Sequence, residues 1–133
     1  MIGHIGVNVP DLATARSYYE VLMPLLDFEL FVDAHDQFAY MPAGGKRGTY
    51  LFFYPSTGSA LYSRINTGLQ HLAFMVSTRQ RVRDVHGAAV VLGSRDVHTP
   101  QEWPQYPPPY YAAFWLDPFG IVLEAVCHHD RET

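Results

Sequence analysis

Three side chains in this sequence have the chemistry to hold a divalent cation together: His4, His71 and Glu124. Each histidine heads an apolar run, His4 before Ile5-Gly6-Val7-Asn8-Val9 and His71 before Leu72-Ala73-Phe74-Met75-Val76. Glu124 interrupts the otherwise apolar stretch Ile121–Val126. A carboxylate there is costly unless it is paired, hydrogen-bonded or bound to a metal. Two imidazoles and a carboxylate form a nitrogen and oxygen donor set with open coordination positions. Taken singly, a strand histidine or glutamate is ordinarily a satisfied, partly buried side chain. What separates these residues from that background is repetition.

His4–Arg16 aligns with His71–Arg83 at a constant offset of 67 residues without a gap. His4/His71, Val9/Val76 and Arg16/Arg83 coincide, and Ile5/Leu72 and Val7/Phe74 match in apolar character. Both copies read as a short strand, a polar cap and an amphipathic helix. Strand alternation puts Ile5, Val7 and Val9 on one face and His4, Gly6 and Asn8 on the other. Asp11 is the expected helix cap, Leu12, Ala15, Tyr19 and Leu22 form the apolar stripe, and Pro24 is expected to stop the helix. In the second copy Leu72, Phe74 and Val76 oppose His71, Ala73 and Met75. Ser77 or Thr78 caps, Val82, Val85, Ala89 and Leu92 form the stripe, and Gly93 ends it.

Strands are expected after the first helix at Phe28–Val32, Gln37–Met41 and Thr49–Tyr54, with a turn over Ala43–Gly48. After the second they are expected near Arg95–His98, then at Tyr110–Leu116 and Ile121–Val126, with Asp117-Pro118-Phe119-Gly120 as a hairpin turn. The proline-rich Thr99–Pro109 reads as a long loop. The fold class is therefore α+β: two βαβββ modules, 1–55 and 69–127, joined by a linker, 56–68, in a single domain over 1–133. The aliphatic strand faces must cover the helices. His4, His71 and Glu124 then look to the other side, and a pseudo-twofold between the modules would bring the imidazoles together.

Length, charge and composition exclude other classes. A chain of 133 residues suits one domain with a real core. A net charge of −4 with scattered Lys and Arg argues against a nucleic-acid partner. No basic leader followed by an apolar stretch is seen, and no apolar run is long enough to span a bilayer. The single cysteine, Cys127, fits a reducing compartment. A cytoplasmic protein with no membrane partner is expected.

His4-Ile5-Gly6-Val7 with Pro10-Asp11-Leu12, His71-Leu72-Ala73-Phe74, and Asp117-Pro118-Phe119-Gly120 followed by Glu124 resemble the vicinal oxygen chelate superfamily. That is the glyoxalase I, bleomycin-resistance and extradiol dioxygenase group, and the resemblance spans essentially the whole chain. It implies two βαβββ modules curled as a mixed sheet around a central cavity. It also implies a metal with ligands from the first and last strand of each module, here His4, His71 and Glu124. Matching Gly48 to Gly120 puts Phe52 at the fourth position. Phenylalanine cannot ligate, which departs from the four-ligand glyoxalase I pattern and approaches the three-ligand dioxygenase one. Tyr50 or Tyr54 is the alternative inward residue.

The resemblance implies a glyoxalase-like, metal-dependent enzyme of lyase or isomerase type. It would bind a small substrate through vicinal oxygens at Zn, Ni, Fe or Mn, with Glu124 as ligand and proton acceptor. The alternatives are an Fe(II) extradiol-type dioxygenase and a metal-free protein that sequesters a drug or metabolite, as bleomycin-resistance relatives do. Asn8, Phe52, Tyr54, Asp96, Trp103, Tyr110 and Tyr111 are the expected substrate-contacting residues, with Trp103–Pro109 as a lid. Adjacent tyrosines on a strand cannot both face the site. Arg16 and Arg83 are expected on solvated helix faces. The superfamily implies a homodimer, since modules in this group often pair across two chains.

Overall fold

The computed structural model describes residues 1–130. The chain divides into two compact units, one over Met1–Leu61 and one from Tyr62 onward.

In the first unit the order is β1 (His4–Val9), α1 (Leu12–Leu25), β2 (Phe28–Ala34), β3 (Gln37–Pro42), a 3-10 turn (Ala43–Gly45) and β4 (Tyr50–Pro55). The strands form a mixed sheet in the order β1-β4-β3-β2, with β1 and β4 parallel. Asp11 caps α1, accepting hydrogen bonds from the backbone N–H of Ala13 and Thr14. Ala15, Tyr18, Tyr19, Leu22 and Met23 are buried on the helix. Tyr19 meets Phe53 at 4.4 Å between ring centroids, and Phe53 stacks on Phe38 at 4.6 Å. On β4, Leu51 and Phe53 are buried in this core. Strand alternation sends Tyr50, Phe52 and Tyr54 to the opposite face.

Pro24 does not stop α1; it lies inside the helix, which ends at Leu25. A proline costs a helix the hydrogen bond from its own nitrogen to the carbonyl four residues back. That carbonyl belongs to Glu20, an exposed residue on the solvent side. The chain turns out of the helix at Asp27, whose φ of 62° is in the left-handed region that Asp tolerates better than most residues.

The second unit repeats the plan: β5 (Leu72–Met75), α2 (Arg79–Val91), β6 (Asp96–Glu102), β7 (Tyr111–Leu116) and β8 (Val122–Cys127), in the order β5-β8-β7-β6. Thr78, rather than Ser77, caps α2. Val82, Val85 and Ala89 are buried on the helix, and Trp115, Leu123, Ala125 and Cys127 in the sheet. In the β7–β8 turn, Asp117 Oδ1 accepts from the N–H groups of Phe119 (2.8 Å) and Ile121 (2.9 Å). Gly120 supplies the positive φ, 90°, that closes the turn.

The second strand of this unit, β6, is longer than expected. Pairing of β6 with β7 continues to Glu102, so the loop shrinks to residues 103–110. Register shifts between Asp96 and His98 and between His98 and Gln101 absorb Pro100 on an edge strand, where a missing N–H is tolerated. Each unit is thus a βαβββ module with its helix on one sheet face, in agreement with the α+β expectation.

Candidate metal and substrate site

Glu124 is 1 % exposed, the one acidic side chain of β8. It pairs with Ala73 across the parallel β5–β8 ladder and with Phe114 across the antiparallel β7–β8 ladder. Paired residues project to the same face. His71 immediately precedes β5, and its Nε2 lies 3.2 Å from Glu124 Oε1. The imidazole is 37 % exposed, so the pair is reachable from solvent on the histidine side. On the other side, the Tyr110 hydroxyl donates to Glu124 Oε2 at 2.8 Å. Burial, and then the hydrogen bond to Glu124, push the Tyr110 phenol above its ordinary pKa. The phenol therefore stays a donor throughout the neutral range.

The second nitrogen of His71 decides what the pair can bind. Nδ1 hydrogen-bonds to Gln70 Oε1, an acceptor, so it carries the proton. A neutral ring would then turn the Nε2 lone pair toward a carboxylate oxygen. That contact is attractive when a proton or a shared cation lies between the two donors. Donors at adjacent corners of an octahedron with bonds of about 2.1 Å lie about 3 Å apart, which agrees with the observed separation. An outer hydrogen bond that fixes the tautomer is also the usual support of a metal-binding histidine. The residues present therefore fit a divalent ion. Within either unit, no three His, Cys, Asp or Glu side chains among the described residues gather at one point.

The first unit has the same ladder with different chemistry. His4, Gly6 and Asn8 pair with Tyr50, Phe52 and Tyr54. Gly6 is the counterpart of Ala73 in the repeat, and Phe52 opposes Gly6 as Glu124 opposes Ala73. Phe52, not Tyr50 or Tyr54, is therefore the positional equivalent of Glu124. Its ring meets His4 edge-on at 5.4 Å and stacks with Tyr54 at 6.1 Å. A Cβ on Gly6 would come within 3.3 Å of the Tyr54 ring, so the glycine makes room for this aromatic wall.

The other anticipated residues divide between the two faces of the second sheet. Trp103 and Tyr110 lie on the Glu124 side. The Trp103 ring packs 5.3 Å from Phe114, and its indole N–H donates to the carbonyl of Ala112. Tyr111 and Asp96 do not join them. Arg79 and Arg83 of α2 lie over the Tyr111 ring, and His86 of α2 holds Asp96 Oδ1 at 2.6 Å. Alternation carries Tyr111 to the helix face, and Asp96 reaches it through its pairing with Trp115, ahead of the bulge before His98. Arg16 and Arg83 are not simply solvated either. Arg16 binds Asp33 and the carbonyl of Ala34, and Arg83 donates to the Tyr111 hydroxyl, each tying its helix to a strand.

Two residues on the Glu124 face went unassigned at the sequence level. Phe114 is legible from the hairpin, since a turn over 117–120 pairs it with Glu124. His98 pairs with Phe114, its ring 5.6 Å away. The bulges in β6 hide that pairing from simple alternation.

The glyoxalase/bleomycin resistance protein/dioxygenase superfamily model matches residues 1–125. The chain belongs to that superfamily. Among solved structures it is similar to a candidate glyoxalase from Bacillus halodurans, with 26 % identity over 96 % of this chain and 95 % of that one, TM-score 0.77. It is also similar to a glyoxalase/bleomycin resistance protein from Albidiferax ferrireducens, with 18 % identity over 96 % and 98 %, TM-score 0.77. A lactoylglutathione lyase from Agrobacterium tumefaciens matches at 18 % identity over 96 % and 92 %, TM-score 0.63. No match appears among curated proteins. Among the described residues, no helix is long and apolar enough to cross a membrane.

Proposed function

We propose that this superfamily member is a metal-dependent enzyme of lyase or isomerase type. It acts on a small substrate that presents two vicinal oxygens. The observation that carries this reading is the buried Glu124, held between His71 Nε2 and the Tyr110 hydroxyl. His71 and Glu124 are two protein ligands of a divalent ion, and His4, the counterpart of His71 in the repeat, is the third. When bound, such an ion stabilises negative charge developing on a substrate oxygen. Glu124 is also the carboxylate that would accept a proton from the carbon beside that oxygen. Tyr110 holds the carboxylate in place while it does so. The superfamily's naming and the similarity to a lactoylglutathione lyase support this class.

A second reading is favoured by Phe52. With an apolar ring at Glu124's counterpart, three protein donors remain and more positions stay open. That pattern also suits an Fe(II) dioxygenase. Metal analysis of untagged protein separates the readings. Stoichiometric Zn or Ni supports the lyase or isomerase and stoichiometric Fe the oxygenase. Absence of metal, with ion addition leaving the melting temperature unmoved, overturns both in favour of a sequestering protein. His71→Ala is expected to abolish metal retention. We also propose a cytoplasmic homodimer. Exposed apolar side chains such as Leu61, Ile65 and Val91 support association, and light scattering on the purified protein tests it.

A further inference from the structure

The face of the second sheet that carries Glu124 also carries a row of rings leading away from it. Glu124 on β8 pairs with Phe114 on β7, and Phe114 pairs with His98 on β6. The row therefore runs Glu124, Phe114, His98 across the sheet, with the His71 imidazole set against Glu124. The Phe114 ring lies 6.0 Å from His71 and 5.6 Å from His98. Trp103 closes the end, 4.9 Å from His98 and 5.3 Å from Phe114. His98 is exposed, and Phe114 and Trp103 are half-buried, so the row offers surface to a ligand.

The geometry points to a substrate subsite here: a flat apolar group, carried on the vicinal-oxygen head, lies over Phe114 and ends in a polar atom that His98 meets. Glu124 and His98 stand two strand spacings apart, about 10 Å. One six-membered ring with a polar substituent opposite its point of attachment fills that span. Edge and face contacts with Phe114 and Trp103 favour an aromatic ring over an alkyl chain. The imidazole of His98 recognises a hydroxyl or a similar group, because one ring nitrogen donates and the other accepts. Arg79 shares a pocket with Trp103 but is ion-paired to Glu102, so the distal group is polar rather than strongly anionic.

The inference rests on the metal reading above, and hydroxamates test the two separately. They chelate divalent ions through two adjacent oxygens. The protein is loaded with Co(II), and its visible band reports metal binding before any ligand is added. Acetohydroxamate, benzohydroxamate and 4-hydroxybenzohydroxamate are then titrated, with dissociation constants normalised to each compound's affinity for free Co(II). Benzohydroxamate is expected to bind about tenfold tighter than acetohydroxamate, and the 4-hydroxy compound a further few-fold tighter. Phe114→Leu should shrink the first ratio. His98→Ala, at an exposed position, should erase the second while keeping the first. Binding of all three within twofold of one another, with the cobalt band present, overturns the subsite alone. A second ratio that survives His98→Ala overturns the role of His98. Absence of the cobalt band overturns the metal reading and the subsite with it.

Discussion

The two units share one strand order and one parallel first-to-last ladder, yet their non-helical faces differ in chemistry. In the second, Glu124 opposes Ala73 and is gripped by His71 and Tyr110. In the first, Phe52 opposes Gly6 and joins Tyr54 and His4 in an aromatic wall. A duplicated scaffold keeps its topology through the buried helix-facing residues, such as Phe53 in one unit and Leu123 in the other. The opposite face is free of that demand. Its ladder positions therefore diverge into a charged pair in one copy and an apolar wall in the other.

Exchanging the counterparts is the hardest test of this comparison. Glu124→Gln keeps the shape and removes the charge. It should weaken Zn(II) binding by more than the roughly 10–100-fold that loss of an outer-shell partner costs, measured by chelator competition. Phe52→Glu should do the reverse. Without metal, a carboxylate among the aromatic rings is expected to destabilise the protein by about 2 kcal/mol or more in chemical unfolding. Added Zn(II) should recover that loss and bind more tightly than it does to the wild type. If metal leaves the Phe52→Glu protein as unstable as before, Phe52 is not the functional counterpart of Glu124.

Tyr110→Phe sharpens the comparison by removing a partner that the aromatic wall does not need. Metal affinity is expected to fall about 10–100-fold. A second readout is taken on metal-free protein by absorbance at alkaline pH. Burial and the Glu124 hydrogen bond raise the folded-state pKa of this phenol above its unfolded value of about 10. Its contribution to stability is therefore fully present below about pH 10 and is lost as pH rises through the folded value. Burial also raises the phenols of Tyr40 and Tyr62, so several should resist ionisation at alkaline pH. Tyr110→Phe should have one fewer of these resistant phenols and lose part of the alkaline fall in stability. An identical titration of both proteins would mean that the hydroxyl does not hold Glu124.

Much of this organisation was legible because the repeat carries physical signals twice. The alternation at Ile5–Val9 and Leu72–Val76 identified the faces, and Glu124 stood out as a carboxylate in an apolar run. The glycine match between Gly48 and Gly120 already placed Phe52 correctly on the ladder. Less legible were features set by partners distant in sequence. Pro24 is tolerated because the carbonyl it leaves unbonded belongs to an exposed turn of helix. Strand β6 extends through Pro100 because β7 supplies its ladder and bulges absorb the misfit. A bulge between Asp96 and His98 also breaks the alternation, so these residues two apart pair with Trp115 and Phe114 on opposite faces. Tyr110 and Tyr111 were known to diverge, but only the arginines of α2 show which of them turns away.

The smallest expected effect compares the two helix caps. Asp11 caps α1 with a carboxylate, and Thr78 caps α2 with a hydroxyl. The Thr14 hydroxyl and the backbone N–H of Thr14 hold the Asp11 carboxyl below its ordinary pKa. Because the folded value lies below the unfolded one, the stabilisation is present above the unfolded pKa, near 4. It is lost as pH falls through the folded value. Asn is as good a cap as Asp but carries no titrating group. Asp11→Asn should therefore melt slightly below the wild type at pH 7, and the gap should close on acidification toward pH 2. Thr78→Ser replaces one hydroxyl by another, so any gap it opens should be the same at both pH values. Parallel behaviour of the two variants would mean that the α1 cap works by shape alone, and that the charge at Asp11 contributes nothing to holding the first helix in place.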